Sequence, residues 1–219
     1  MKAVIFDMDG VLVDSFNANL EAFNVVMKKR FGFIVSRKEF LGLFGRDPRE
    51  ITRVILETHN IKDVDIAGIY GEKRTVFNSV MEKEVRLFPG VVESLSKLKE
   101  TGFKLALASS NSRESIARIM EKTRLESFFE AYVGYEDTSR AKPDPEIFLK
   151  AAERLGVSPG DCWVIEDSLP GVMAGKTAGM SVVGVQTGMR SERELLDAGA
   201  DLTVKTLEEL DAGDLRENA

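Results

Sequence analysis

A doubly wound α/β fold, with a mainly parallel, Rossmann-like sheet and an inserted all-helical subdomain, is what the sequence predicts. Three observations lead there. Short unbroken apolar runs recur along the chain, and each stops abruptly at a polar cluster. Amphipathic stretches with helical spacing fill the gaps between them. One long stretch, from about Ser15 to Arg86, has helical patterns and no convincing buried strand. Apolar runs without alternation suit strands buried on both faces, and strand–helix–strand repetition implies βαβ units.

The elements follow in order. Ala3–Phe6 is the first strand, ending at Asp7-Met8-Asp9-Gly10. Phe16–Phe31 is a helix carrying Leu20, Phe23, Val26 and Met27 on one side. Ser36-Arg37-Lys38-Glu39 is a capping box ahead of Phe40, Leu41 and Leu43. Pro48–Thr58 carries Ile51, Val54 and Ile55, and Ile66–Val85 continues helical. An ordinary crossover helix needs only about 10–15 residues. This block of roughly 70 is therefore read as a separate subdomain, giving an α/β core of residues 1–14 and 87–219 and a helical domain of 15–86. Val91–Glu100 is a helix through Val91, Val92, Leu95 and Leu98, stopped by Gly102. Lys104–Ala108 is a strand that stops at Ser109-Ser110-Asn111. Ser112–Thr123 is a helix whose cap is read as Asn111, three residues before Glu114. Ala131–Val133 is a weak strand, and Pro145–Leu155 a helix closed by Gly156. Cys162–Ile165 is a strand ending at Glu166-Asp167-Ser168, followed by a helix over Leu169–Ala178. Ser181–Val185 and Leu202–Val204 complete the strands, with a short helix opened by Ser191-Glu192-Arg193-Glu194 between them.

Composition narrows the function classes. The 219 residues include 36 acidic and 30 basic side chains, a formal charge of −6, which argues against a nucleic-acid surface. A single cysteine, Cys162, excludes an internal disulfide and argues against a thiolate zinc cluster. A single histidine, His59, lies far from every strand end, so a Ser-His-Asp triad is a poor reading and a helix-end or surface role a better one. The apolar run after Met1-Lys2 is too short for a signal peptide or a membrane span. The expectation is a soluble cytoplasmic protein, monomer or small homo-oligomer, with no nucleic-acid or membrane partner. Cys162 and Trp163 read as strand packing, and Met27, Met81, Met120 and Met173 as filler in helices.

In open α/β sheets ligands bind beyond the carboxyl ends of the strands, and the polar clusters gather at those ends. Asp7 and Asp9, with Asp167 and Glu166, make a group of hard oxygen donors that repel one another unless a cation or proton joins them. Magnesium suits such donors. In extended backbone an Asp-x-Asp pair points to one side, so one carboxylate can attack while the other shuttles a proton. Ser109, Ser110 and Asn111 precede a helix, whose free N–H groups and dipole suit a phosphate. Lys142 offers a positive charge to offset phosphate and carboxylate. Taken singly, each has a bland reading: a turn, a helix cap, a surface lysine, an acidic pair at a helix start. Their occurrence in order, each at or just after a strand end, favours chemistry.

The motifs Val4-Ile5-Phe6-Asp7-Met8-Asp9-Gly10-Val11-Leu12-Val13-Asp14-Ser15, Leu105-Ala106-Leu107-Ala108-Ser109-Ser110-Asn111, Lys142-Pro143-Asp144-Pro145 and Ile165-Glu166-Asp167-Ser168 with Gly171 carry a resemblance. Together they resemble the haloacid dehalogenase superfamily, nearest its helical-cap hydrolases of the phosphoglycolate phosphatase and beta-phosphoglucomutase type. The resemblance implies Asp7 as nucleophile forming an aspartyl-phosphate. It implies Asp9 as general acid and base whose carbonyl also binds magnesium. Ser109 and Lys142 would hold the phosphoryl group, Asp167 would complete the metal site with Glu166 as ligand or support, and the helical block would be a cap. Aspartate at position 9 points to phosphoryl transfer rather than dehalogenation. The related hexose-phosphate mutases carry a histidine at the position held here by Asn19, and neither Arg46 nor Arg49 falls at their cap arginine, which favours hydrolysis of a phosphoglycolate- or sugar-phosphate-like ester. A phosphomutase is the alternative, and a non-enzymatic phospho-acceptor module the remote one. The turn Phe44-Gly45-Arg46-Asp47-Pro48-Arg49 between two cap helices is expected to face the substrate, with Arg46 gripping its far end.

Overall fold

Every apolar run becomes a parallel strand in the computed structural model, which describes residues 2–217. In chain order the elements are β1 (Ala3–Phe6), β2 (Val13–Asp14), α1 (Phe16–Phe31), α2 (Arg37–Leu41), α3 (Pro48–Thr58), α4 (Ile66–Glu84) and β3 (Arg86–Leu87). They continue with α5 (Val91–Glu100), β4 (Lys104–Ala108), α6 (Arg113–Thr123), β5 (Ala131–Val133), α7 (Glu146–Leu155) and β6 (Cys162–Glu166). The last are α8 (Leu169–Thr177), β7 (Ser181–Val185), α9 (Glu192–Asp197), β8 (Leu202–Val204) and α10 (Asp214–Glu217). The main sheet runs β5-β4-β1-β6-β7-β8, with every pairing parallel. The chain divides into two units, Met1–Asp14 with Arg86–Ala219, and Ser15–Val85.

In the α/β unit, β1 and β6 are buried along their whole length, which is why their sequences do not alternate. The core on one side of the sheet joins Ile5, Ala106, Val133 and Val164 to Phe148, Ala151 and Ala152 of α7. Helix α8 lies close to the sheet because Gly175 has no side chain: a Cβ there would sit 2.7 Å from Val182 and 3.3 Å from Val164. Trp163 is fully buried and donates from Nε1 to the Leu215 carbonyl at 2.8 Å. Cys162 is buried, and burial pushes its thiol up to about 11. Two apolar residues read as inward prove exposed: Met173 at 48% and Val92 at 41%. Both fall off the apolar stripe of their helix once its phase is fixed by Val172 and Ala174, and by Val91 and Leu95.

A two-stranded antiparallel ribbon escaped the sequence reading. It pairs β2 with β3, Val13 opposite Leu87 and Asp14 opposite Arg86. These strands flank the inserted segment, so the chain leaves and re-enters the α/β unit through adjacent backbone.

The Ser15–Val85 unit is helical. Phe16 meets Phe40 and Phe44 edge to face, with centroids 5.3 and 5.1 Å apart, and Phe23 lies 5.4 Å from Phe40. Asp47 caps α3 by accepting from the N–H groups of Arg49 and Glu50, Pro48 fills the first turn, and Gly45 takes φ +91° in the turn before it. Ser36 caps α2 through the Glu39 N–H. His59 ends α3, stacked on Phe33 at 3.8 Å with Nε2 3.2 Å from Glu39. Among the described residues no helix is long and apolar enough to cross a membrane.

Candidate functional site

Sheet register aligns the strand ends. Phe6 stands opposite Leu107 of β4 and Ile165 of β6. Asp7, Ala108 and Glu166 therefore stand side by side where the strands end, with Ser109 one residue further on. Asp7 N–H still donates to the Ile165 carbonyl, at 3.0 Å, and Ser109 N–H to the Val133 carbonyl, at 3.0 Å. Asp7, Ser109 and Glu166 are thus held by backbone bonds where the strands stop.

Lys142 reaches this place from the connection after β5. Its Nζ lies 2.6 Å from Asp7 Oδ1 and 2.6 Å from Glu166 Oε1, with only 3% of the side chain exposed. A buried ammonium is costly unless paired and hydrogen-bonded. Burial pulls the Lys142 pKa down, but the Asp7 and Glu166 carboxylates outweigh it and hold the pKa above the usual lysine value. Glu166 is fixed in turn. Its Oε2 accepts from the Asp167 N–H (3.0 Å), the Ser168 N–H (2.9 Å) and the Ser168 hydroxyl (2.9 Å). A Cβ at Gly171 would overlap this carboxylate, so the glycine makes its room. With one oxygen on Lys142 and the other on its own loop, Glu166 is a holder of the lysine. Of the two roles read from the sequence, ligand or support, these bonds describe the support.

Asp7 is buried, and burial, with Glu166 and Asp9 adding to it against the pull of Lys142, pushes its pKa up to about 8. Asp9 sits in the turn beyond, where the Asn111 amide donates to its Oδ2. Ser109 is fully buried, and its Oγ accepts from the Asn111 N–H at 3.2 Å and from Asn111 Nδ2 at 3.3 Å. Ser110 lies half-buried in the same turn. The expected cap is corrected here: Ser112, not Asn111, caps α6, through the Ser115 N–H at 3.1 Å.

Asp167 is buried between two glycines. A Cβ on either Gly10 or Gly188 would overlap its carboxylate. Thr187 also donates from Oγ1 to the Gly10 carbonyl. The turn after β7 was not singled out in the sequence, although its place at a strand end is the same signal that marked the others. Burial and the neighbouring Glu166, Asp7 and Asp9 charges drive the Asp167 pKa well up. Among the described residues no three His, Cys, Asp or Glu side chains form a ready metal cluster. Two carboxylates facing one lysine still leave negative charge in excess, and hard oxygens in that number fit a dication that keeps several waters. Gly188→Ala is expected to shift Asp167 and lower kcat/KM about 100-fold, with folding retained by circular dichroism.

The turn bearing Asn111 is buttressed from outside. Asp137, its side chain 2% exposed, holds Arg113 and Arg154 and accepts from the Gly134 N–H at 2.9 Å, while the Tyr135 N–H donates to the Asn111 carbonyl at 3.0 Å. The Arg113 hydrogen bond foremost holds the Asp137 carboxyl well below the usual range. A depressed folded pKa stabilises above the unfolded value and loses that contribution as pH falls below it. Asp137→Asn should therefore lower Tm by about 2–4 °C at pH 7, for roughly 1 kcal/mol. Thermal melts should show that difference closing as pH drops below about 4.

Arg46 belongs to the helical unit, where its guanidinium pairs with Glu50 at 3.0 Å and both are exposed.

The model for haloacid dehalogenase-like hydrolases matches residues 4–185. A phosphorylated carbohydrates phosphatase from Thermotoga maritima is 35% identical over 209 residues, 94% of each chain. The beta-phosphoglucomutase of Bacillus subtilis is 31% identical over 229 residues, 96% of this chain and 92% of that one. The solved structure of CbbY from Rhodobacter sphaeroides, in complex with phosphate, superposes with a TM-score of 0.87 at 25% identity, covering 99% of both chains.

Proposed function

This chain belongs to the haloacid dehalogenase-like hydrolases and is an enzyme of their phosphatase and phosphomutase type, and from that premise we propose that it is a magnesium-dependent phosphatase of a small phosphorylated metabolite, a sugar phosphate or a phosphoglycolate-like ester. The observation that carries the reading is the buried Asp7 carboxylate, held at 2.6 Å by a lysine that Glu166 fixes from behind, with Asp9 two residues on. A carboxylate so placed attacks phosphorus through one oxygen. The P–O bond to Asp7 forms as the ester P–O bond breaks, and Asp9 gives its proton to the departing oxygen. Asp9 then takes a proton from water, whose oxygen attacks the aspartyl-phosphate and releases inorganic phosphate with the Asp7 carboxylate restored. Lys142 and the Ser109 hydroxyl neutralise and orient the phosphoryl oxygens. Asp7, the Asp9 carbonyl and Asp167 would hold magnesium. When bound, the ion offsets the charge of carboxylate and phosphate together. The helical unit acts as the substrate-selecting cap, with Arg46 its contact for a second anionic group.

Hydrolysis is favoured over mutase chemistry by Asn19. Its amide donates to the Ser15 carbonyl at 3.1 Å and accepts from Lys73, and it brings no imidazole. The test is release of inorganic phosphate across a panel of phosphorylated sugars, phosphoglycolate and aryl phosphates, with magnesium and with a chelator. Turnover with magnesium, lost on chelation, is expected. Hexose 1-phosphates converted to 6-phosphates without free phosphate would make it a mutase, and no turnover at all would remove the reading.

A further inference from the structure

Asn111 stands where a helix cap belongs, yet Ser112 does the capping and the Asn111 side chain turns back to the strand ends. Four bonds fix it there. Its Nδ2 donates to Asp9 Oδ2 and, at 3.3 Å, to Ser109 Oγ. Its backbone N–H donates to the same Oγ at 3.2 Å, and its carbonyl accepts from the Tyr135 N–H at 3.0 Å. The residue is only 9% exposed. The Asp9 turn is tied down on its other side as well, through the Gly10 N–H to the Val13 carbonyl at 2.9 Å and the Thr187 hydroxyl on the Gly10 carbonyl.

We infer that Asn111 is a positioning residue for Asp9, setting the rotamer from which that carboxyl serves the leaving oxygen, and not a grip on the phosphate. The inference rests on the phosphatase reading, with Asp9 as its acid. The physical ground is the rigidity of the donor. An amide locked to two elements holds one carboxylate oxygen in place, so the group does not search its rotamers at the moment of proton transfer. In this reading phosphate binding is supplied elsewhere, by Lys142 and the Ser109 hydroxyl, while the Arg113 and Ser115 N–H groups at the start of α6 are already taken by Glu136 and Ser112.

The consequence is read in the leaving group. kcat/KM runs through the step in which the ester P–O bond breaks. Phenolate departs poorly and needs the Asp9 proton, whereas p-nitrophenolate departs with little help. Steady-state kinetics of wild type, Asn111→Ala and Asn111→Asp on phenyl phosphate and p-nitrophenyl phosphate test the point. The aspartate variant keeps the shape of the side chain and replaces the donor by an acceptor, and melting curves of both variants check folding. The expected result is a loss of kcat/KM about 10–100-fold on phenyl phosphate that exceeds the loss on p-nitrophenyl phosphate at least about tenfold. It should fall mainly in kcat, with similar KM for both esters. Equal losses on the two esters, or losses carried in KM, overturn the inference and make Asn111 a phosphate ligand. A wild-type enzyme inactive on both esters overturns the parent reading and this one with it.

Discussion

Asp7→Asn is expected to lower turnover about 10⁴-fold or more and to leave the melting temperature of the metal-free protein at or above that of wild type. An amide oxygen is no nucleophile toward phosphorus, so the first bond of the reaction cannot form. The shape of the side chain is kept, and an amide oxygen can still accept from Lys142 at the place where Asp7 Oδ1 lies 2.6 Å from Nζ. The stability half of the expectation follows from sign. The Asp7 carboxyl is pushed up to about 8 in the fold, chiefly by burial, so its folded value exceeds the unfolded one, and above the unfolded value, about pH 4, the carboxyl ionises more readily in the unfolded chain and opposes folding. Substituting a neutral amide removes that opposition. Phosphate release and thermal melts in chelator, run on one preparation, separate the two halves. Residual activity above about 1% of wild type would take the nucleophile's role from Asp7, and a collapse in Tm would mean the carboxylate is structural.

How far the sequence could be read depended on how many residues carried each signal. The parallel strands were legible because burial on both faces makes a continuous apolar run, as in Ala3–Phe6 and Leu105–Ala108, with nothing polar to blur the ends. The same abruptness marked Asp7, Ser109 and Glu166. The pairing of Val13–Asp14 with Arg86–Leu87 left no trace, because two residues contain no period and the partner lies across the whole helical insert. Side-chain direction was also beyond reach. Asn111 and Ser112 are both good caps, and only the Gly134–Asp137 turn with its N–H on the Asn111 carbonyl decides which one caps and which one turns inward. Glu166 read as ligand or support beside Asp167. What commits it to Lys142 is the bend after β6, which aims the Asp167 and Ser168 N–H groups at its second oxygen. Gly188 needed the third dimension too, since its value lies in the space that Asp167 fills.

Lys142→Met is expected to cost about 10³-fold in kcat/KM and to lower stability. Methionine matches the length of the stem and removes the charge. The ammonium does two things at once, neutralising Asp7 and Glu166 from 2.6 Å each and resting 4.9 Å from the centre of the Phe148 ring. Without it two buried carboxylates face each other with no cation between them, and breaking a buried pair by removing one partner costs about 3–5 kcal/mol. The penalty belongs to the abandoned partner as much as to the lost lysine, and a second substitution can recover that part. Glu166→Gln in the Lys142→Met background deletes one of the stranded charges, so the double variant should regain stability over Lys142→Met alone. Its activity should stay low, because the phosphoryl group still meets no ammonium. In the wild-type background Glu166→Gln should also lower activity, since a lysine held by one carboxylate has lost half of what aims it. The cycle is therefore strongly non-additive in stability, and non-additive in rate as well, because Glu166→Gln has no lysine left to misaim in the Lys142→Met background. Denaturant melts and kcat/KM on all four proteins measure both couplings. Additive stabilities would mean that Glu166 and Lys142 are held independently, and an active Lys142→Met enzyme would mean that the lysine serves the fold alone.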